Sequence, residues 1–136
     1  MNRKSIVDRF VTELGSISGV VTVSDNFKMW EDVSIPDMPC LIVVGGTETA
    51  TYEGKVTVDY DFRVIIYGYI GGANRETQLN NLIQSVRTKI HSDPRSAGLT
   101  LDRQIRTIDT DEGMFAPKGV FRMEVSCWVH DIVTSR

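Results

Sequence analysis

Cysteine is nearly absent from this chain. Only Cys40 and Cys127 occur, each inside an apolar run and far from any metal-ligand spacing. A disulfide framework and a zinc site are therefore unsupported. The reading is two buried free thiols in a reducing compartment, with a disulfide as the alternative. No apolar run reaches the roughly eighteen residues of a membrane span. The opening Met1-Asn2-Arg3-Lys4 leads into a segment broken by Asp8, Arg9 and Glu13, which is not the apolar core of a signal peptide. The expectation is a chain made in the cytoplasm without a membrane partner. Positive charge is also in short supply. Fifteen Lys and Arg face eighteen Asp and Glu, for a net charge of −3. A domain that binds nucleic acid by neutralising phosphates would be basic, so that class is disfavoured. Gly45-Gly46 and the glycines at 68, 71 and 72 lack both the G-x-G-x-x-G order and a P-loop lysine, so no phosphate cradle is expected.

Hydrophobic content of 41% and charged content of 24% are ordinary for a globular protein. The 136 residues fit one domain, 1–136, large enough for a core of its own. The clearest pattern lies at residues 55–70. Val56, Val58, Tyr60, Phe62, Val64 and Ile66 alternate with Thr57, Asp59, Asp61 and Arg63. Such alternation predicts a strand with one face buried and one wet. Sixteen extended residues reach about 50 Å, whereas a domain this long is about 35–40 Å across. The strand must bend at a bulge or glycine, or leave the body as an arm that something else covers.

The spacing predicts a helix over 4–14, with Ile6, Val7, Phe10, Val11 and Leu14 on one face and Gly15 as a left-handed cap. A weak strand is expected at 17–23. Residues 24–38 lack a period but carry Phe27, Met29, Trp30 and Ile35, so they need a partner surface. Residues 40–44 read as a central strand and 47–52 as β-compatible. Glu53-Gly54 turns the chain into the long strand, making a hairpin with unusually long arms. Gly68, Gly71 and Gly72 break the pattern. Asn74 is a candidate N-cap for a helix over 75–91, in which Leu79, Leu82, Ile83, Val86 and Ile90 repeat, and Asp93-Pro94 ends it. Strands are predicted at 99–108 and 120–133, around an acidic loop at 109–118. The fold class is α+β: a mostly antiparallel sheet of about five strands with two helices packed on one face, in the order α-β-β-β-α-β-β.

Catalytic chemistry finds little to stand on. Asp59 and Asp61 share a strand face and could hold a divalent ion, but no third acid is near and a solvated face explains them. Asp109, Asp111 and Glu112 cluster in a loop that fails the EF-hand pattern and reads as solvated or partner-facing. Cys127 and His130, three apart on a strand, point to opposite faces and cannot pair. His91 is explained by the end of its helix. The expectation is no enzyme, no cofactor and no bound metal. What remains is aromatic side chains where a core does not readily use them: Trp30, Phe115, Trp128, Tyr67 and Tyr69. Tryptophan and tyrosine are enriched at interface hot spots. The plainer account is a second layer from the helices, covering Ile65, Tyr67 and Trp128.

Several segments together resemble the tail terminator, or tail-completion, proteins of long-tailed bacteriophages. They are the opening helix (Ile6 to Leu14), the Gly19 to Val23 strand, the aromatic loop before Pro39 and the Cys40 to Val44 strand. Next come Glu53-Gly54 leading to Tyr67-Gly68-Tyr69, the Leu79 to Ile90 helix, the Arg106-Thr-Ile-Asp-Thr-Asp segment and a final Gly119-Val120 strand. The resemblance implies a virion structural protein of the tail or neck, assembled in the host cytoplasm. It implies a homohexameric ring that caps the tail tube, stops tube polymerisation and offers the head-attachment surface. Implied partners are further copies of the chain, the tail tube protein, a head-completion or connector protein, and a sheath or sheath-terminator protein if the tail contracts. DNA passes through the lumen without specific binding, which suits an acidic chain.

A ring needs one patch to meet a different patch on the next copy. The hairpin, with Glu53, Lys55, Val56 and Val58, and the loop of Trp30 are assigned to one side. The loop of Asp111, Glu112, Met114 and Phe115 and the outer face of the second helix, with Arg75 and Arg87, are assigned to the other side or to the head. The alternatives are another head-tail joining or neck protein or, in a different class, a small-molecule-binding α+β module or enzyme.

Overall fold

The computed structural model describes residues 1–133, so the last three residues of the 1–136 domain lie outside the described residues. Helix α1 (Arg3–Gly15) forms where Ile6, Phe10 and Leu14 recur every fourth residue and are buried. Asn2 caps it, accepting from the Ser5 N–H at 3.0 Å. Gly15 is its last helical residue and not a left-handed cap: Ser16 comes next at φ −86°, and the reversal is at Gly19, φ +89°. That reversal consumes most of the strand expected at 17–23. Only β1 (Thr22–Ser24) remains, while Ile17 and Val20 pack against the core.

Strand β2 (Cys40–Glu53) is one element where two pieces are expected, because Gly45-Gly46 allows an irregularity between Gly45 and Glu48 that keeps the ladder going. Strand β3 (Thr57–Gly71) pairs antiparallel with β2 and with β5 (Lys118–Ile132). Helix α2 (Arg75–Ser92) lies between β3 and the last two strands in sequence. Asn74 holds its N-cap position but in the left-handed region and without a side-chain capping bond. Strand β4 (Asp102–Thr110) forms the far edge. The sheet order is β1-β2-β3-β5-β4, antiparallel except for β1 with β2. This is the α+β architecture and element order read from the sequence.

Both helices cover one face. Leu41, Val43, Phe62, Val64, Ile66, Met123, Val125 and Cys127 meet Phe10, Leu14, Leu79, Leu82 and Val86 there. The opposite face is divided. At one end residues 24–38 fold over Cys40, Ile42 and Tyr69, contributing Val33 and Met38. Tyr69 is therefore not on a wet face. It is 2% exposed, its hydroxyl donates to the Lys28 carbonyl at 2.6 Å, and burial pushes its pKa up to about 12. A loop, not the helices, supplies the second cover, and it leaves Ile65 and Trp128 half-buried beyond its reach.

Nor does the long strand leave the body as a two-stranded arm. Strand β5 accompanies it to the Thr57–Ile132 pair, so the hairpin end is three strands wide. Cys40 and Cys127 are buried free thiols on opposite faces of the sheet, and burial raises both, Cys127 to about 12. At β4 the expected start at Leu99 is displaced. After Pro94 a short turn (Ser96–Gly98) with Ala97 and Gly98 at positive φ delays the strand to Asp102, leaving Leu99 and Leu101 exposed.

Gly68 does not interrupt β3. It lies opposite Phe121, whose ring fills its place: a Cβ there would meet Phe121 Cε1 at 2.0 Å. Gly68→Ala should therefore overpack the core and cost about 2 kcal/mol or more. The denaturant midpoint should fall accordingly, and an unchanged midpoint would contradict this packing.

Candidate assembly surface

Asp111 organises the loop between β4 and β5. Its carboxylate accepts from the Phe115 N–H at 3.0 Å, the Val120 N–H at 3.1 Å and Arg75 Nη2 at 2.7 Å. Arg75 also donates to the Lys118 carbonyl at 3.0 Å. Burial favours the neutral acid, but the two backbone N–H groups and Arg75 outweigh it and hold the carboxyl below its ordinary 3.8. The stability this group contributes is complete above that value and disappears as pH falls through the lower folded-state value. Asp111 is thus not a solvated or partner-facing acid, and Arg75 is not on the outer helix face. Each is turned on the other inside the chain, side chains 0% and 14% exposed.

The clamp sets the shape of the loop tip. Glu112 and Gly113 take positive φ, the Met114 N–H returns to the Asp111 carbonyl, and Met114 is left 80% exposed at the tip with Glu112 beside it. A fixed loop that displays an apolar side chain has already met the ordering cost of binding.

Trp30 and Phe115, assigned to opposite sides of an interface, stack on each other with centroids 4.4 Å apart and planes 15° from parallel. Lys118 Nζ holds the two loops together, donating to the Trp30 and Val33 carbonyls at 3.1 and 2.8 Å. Phe27 packs edge-on against Tyr67 at 5.0 Å. The Trp30 loop and the 109–118 loop are therefore one surface. It holds an open hollow of about 340 Å³ lined by Tyr67, Met114, Phe115 and Val120. Phe27 and Met29 are exposed nearby, and the loops that build the surface carry the exposed acids Asp25, Glu31, Asp32, Asp109 and Glu112. Apolar anchors within an acidic rim suit a protein partner.

The other assigned residues lie elsewhere. Glu53, Lys55 and Val56 are exposed at the hairpin end, but Val58 is 2% exposed and belongs to the interior. Arg87 is half-buried along α2, where it donates to Gln84 at 3.1 Å. The paired aspartates of β3 are engaged: Asp61 with Arg63 on its own strand and with Ser126 across the sheet, and Asp59 across the sheet with His130, whose pKa it raises. Among the described residues no three His, Cys, Asp or Glu side chains are grouped to hold a metal, and no helix is long and apolar enough to cross a membrane. Leu99 and Leu101 were missed as surface residues because their alternation with Arg103 imitates a strand. Arg103 is itself buried, donating to Glu13 at 3.0 Å and to the Ile90 carbonyl at 3.1 Å.

Asp111→Asn keeps the shape of the clamp but leaves Arg75 without its counter-charge. The variant should lose roughly 2 kcal/mol at neutral pH. In thermal melts across pH, the gap to the unaltered protein should be full above pH 3.8 and shrink as pH falls through the lower value at which the folded carboxylate takes up its proton. A gap independent of pH would contradict the clamp.

No protein-family model matches this chain, and no curated protein matches it. Among solved structures it is similar to a chain of the "Virion of native gene transfer agent (GTA) particle". The two share 9% identity over 95% of this chain and 94% of the other, with a TM-score of 0.44. A likeness at that score fixes neither fold nor function.

Proposed function

We propose that this chain is a tail terminator. Six copies form a ring that caps the tail tube, stops addition of tube subunits and presents the surface on which the head docks. The observation that carries this reading is the surface built on the Asp111 clamp. It is fixed in shape and apolar at its centre, its loops carry exposed acids, and among the described residues no three His, Cys, Asp or Glu side chains are grouped to hold a metal. The order of elements shared with tail terminators supports the same reading. Partners in this role are further copies of the chain, the tube protein, a head-completion protein and, in a contractile tail, a sheath component. DNA crosses the lumen without specific binding, and a net charge of −3 disfavours trapping it. No catalytic step or cofactor takes part.

The test is direct. Purified chain added to polymerising tail-tube protein should yield shorter tubes with a ring on one end in electron micrographs. Tubes of unchanged length without end rings would overturn the proposal. Val56→Asp probes the hairpin end in this assay, because Val56 is 62% exposed and its fold should be unaffected. A charge at Val58 would be buried and would report on folding alone.

A further inference from the structure

We infer that neighbouring copies lock together by seating the Met114 tip of one copy in the hollow beside Leu99, Leu101 and Val129 of the next, with Glu112 facing Arg95. This rests on the ring reading above and names the contact that closes the ring.

Two features at opposite ends of β5 fit one another. At the Val120 end, the Asp111 clamp projects Met114 at 80% exposure, and the exposed Glu112 borders the same hollow as Met114. At the Val129 end, Arg95, Leu99, Leu101 and His130 border an open hollow of about 350 Å³. Leu101 is 54% exposed there, beyond the helices and beyond the loop that covers the other face. The first feature is an apolar knob with an acid nearby, and the second is a recess of mixed character, where Leu99, Leu101 and Val129 stand beside Arg95, Thr100 and His130. Methionine, unbranched and polarisable, adapts to such a recess. Among the described residues neither Glu112 nor Arg95 has an ion-pair partner in its own chain. Across an interface the two would be complementary, which gives specificity of register. His130 adds little net charge, because it is already joined to Asp59.

One chain cannot close this contact on itself. Val120 and Val129 are nine residues apart on an extended strand, about 30 Å. Knob and recess are different surfaces, so each contact leaves a free knob on one copy and a free recess on the other. That is a heterologous interface, which closes into a ring or runs on as a filament. A partner of another kind could fill either feature alone; a second copy of this chain fills both.

Sedimentation velocity at several concentrations reads the contact in the full chain. Glu112→Arg and Arg95→Glu, both at exposed positions, should each weaken self-association by roughly tenfold or more. The double swap should restore it, and Met114→Asp should abolish it. Circular dichroism and melting temperature should stay the same in all four variants. Single variants that assemble like the unaltered chain, or a double swap that restores nothing, would overturn this contact while leaving the ring reading in place. An unaltered chain that remains monomeric at every concentration would overturn both.

Discussion

Strand β3 is hydrogen-bonded along both edges, to β2 from Thr57 to Tyr69 and to β5 from Thr57 to Gly71. The rest of the molecule is arranged around that central ladder. Its even-numbered side chains lie under two helices for most of their length, so Phe62, Val64, Ile66 and Ile70 are wholly buried. Its odd-numbered side chains meet two environments. Tyr67 and Tyr69 lie beneath the 24–38 loop, whereas Asp59, Asp61 and Arg63 face polar partners on β5. The ladder also needs Gly68, because the Phe121 ring occupies the place that a side chain there would take.

Two buried ion pairs fix the ends of this sheet. Arg75 with Asp111 ties the start of α2 to the β4–β5 loop. Arg103 with Glu13 ties β4 to α1 and also satisfies carbonyls at the end of α2, the guanidinium lying 4.9 Å from the Phe10 ring centroid. Buried pairs of this kind specify geometry more than they add stability. Here the geometry matters because each pair stands beside an exposed apolar feature, Met114 at one end and Leu101 at the other.

The helices, the long hairpin and the sheet class were legible because their periods are regular: Ile6, Phe10, Leu14 in one element, Phe62, Val64, Ile66 in another. Backbone reversals were not. Gly19 turned an expected strand into a turn, and Ala97 with Gly98 pushed the start of β4 past Leu101. Long-range pairing was less legible still. Nothing in the spacing of Trp30 and Phe115 says that they stack, and nothing near Asp111 in sequence points to Arg75, thirty-six residues away. The acidic loop reads as solvated because sequence shows charge and not the donors that meet it. The tyrosines misled for a related reason: alternation tells which face a residue takes, but not what covers that face.

A surface prepared in the free chain, with a knob at one end and a recess at the other, is what a self-closing assembly requires and what a solitary domain does not. Native mass spectrometry of the purified chain measures this most directly. The account requires one dominant closed species, at six times the mass of the chain. Monomer alone, or an open ladder of masses rising one copy at a time, would contradict it.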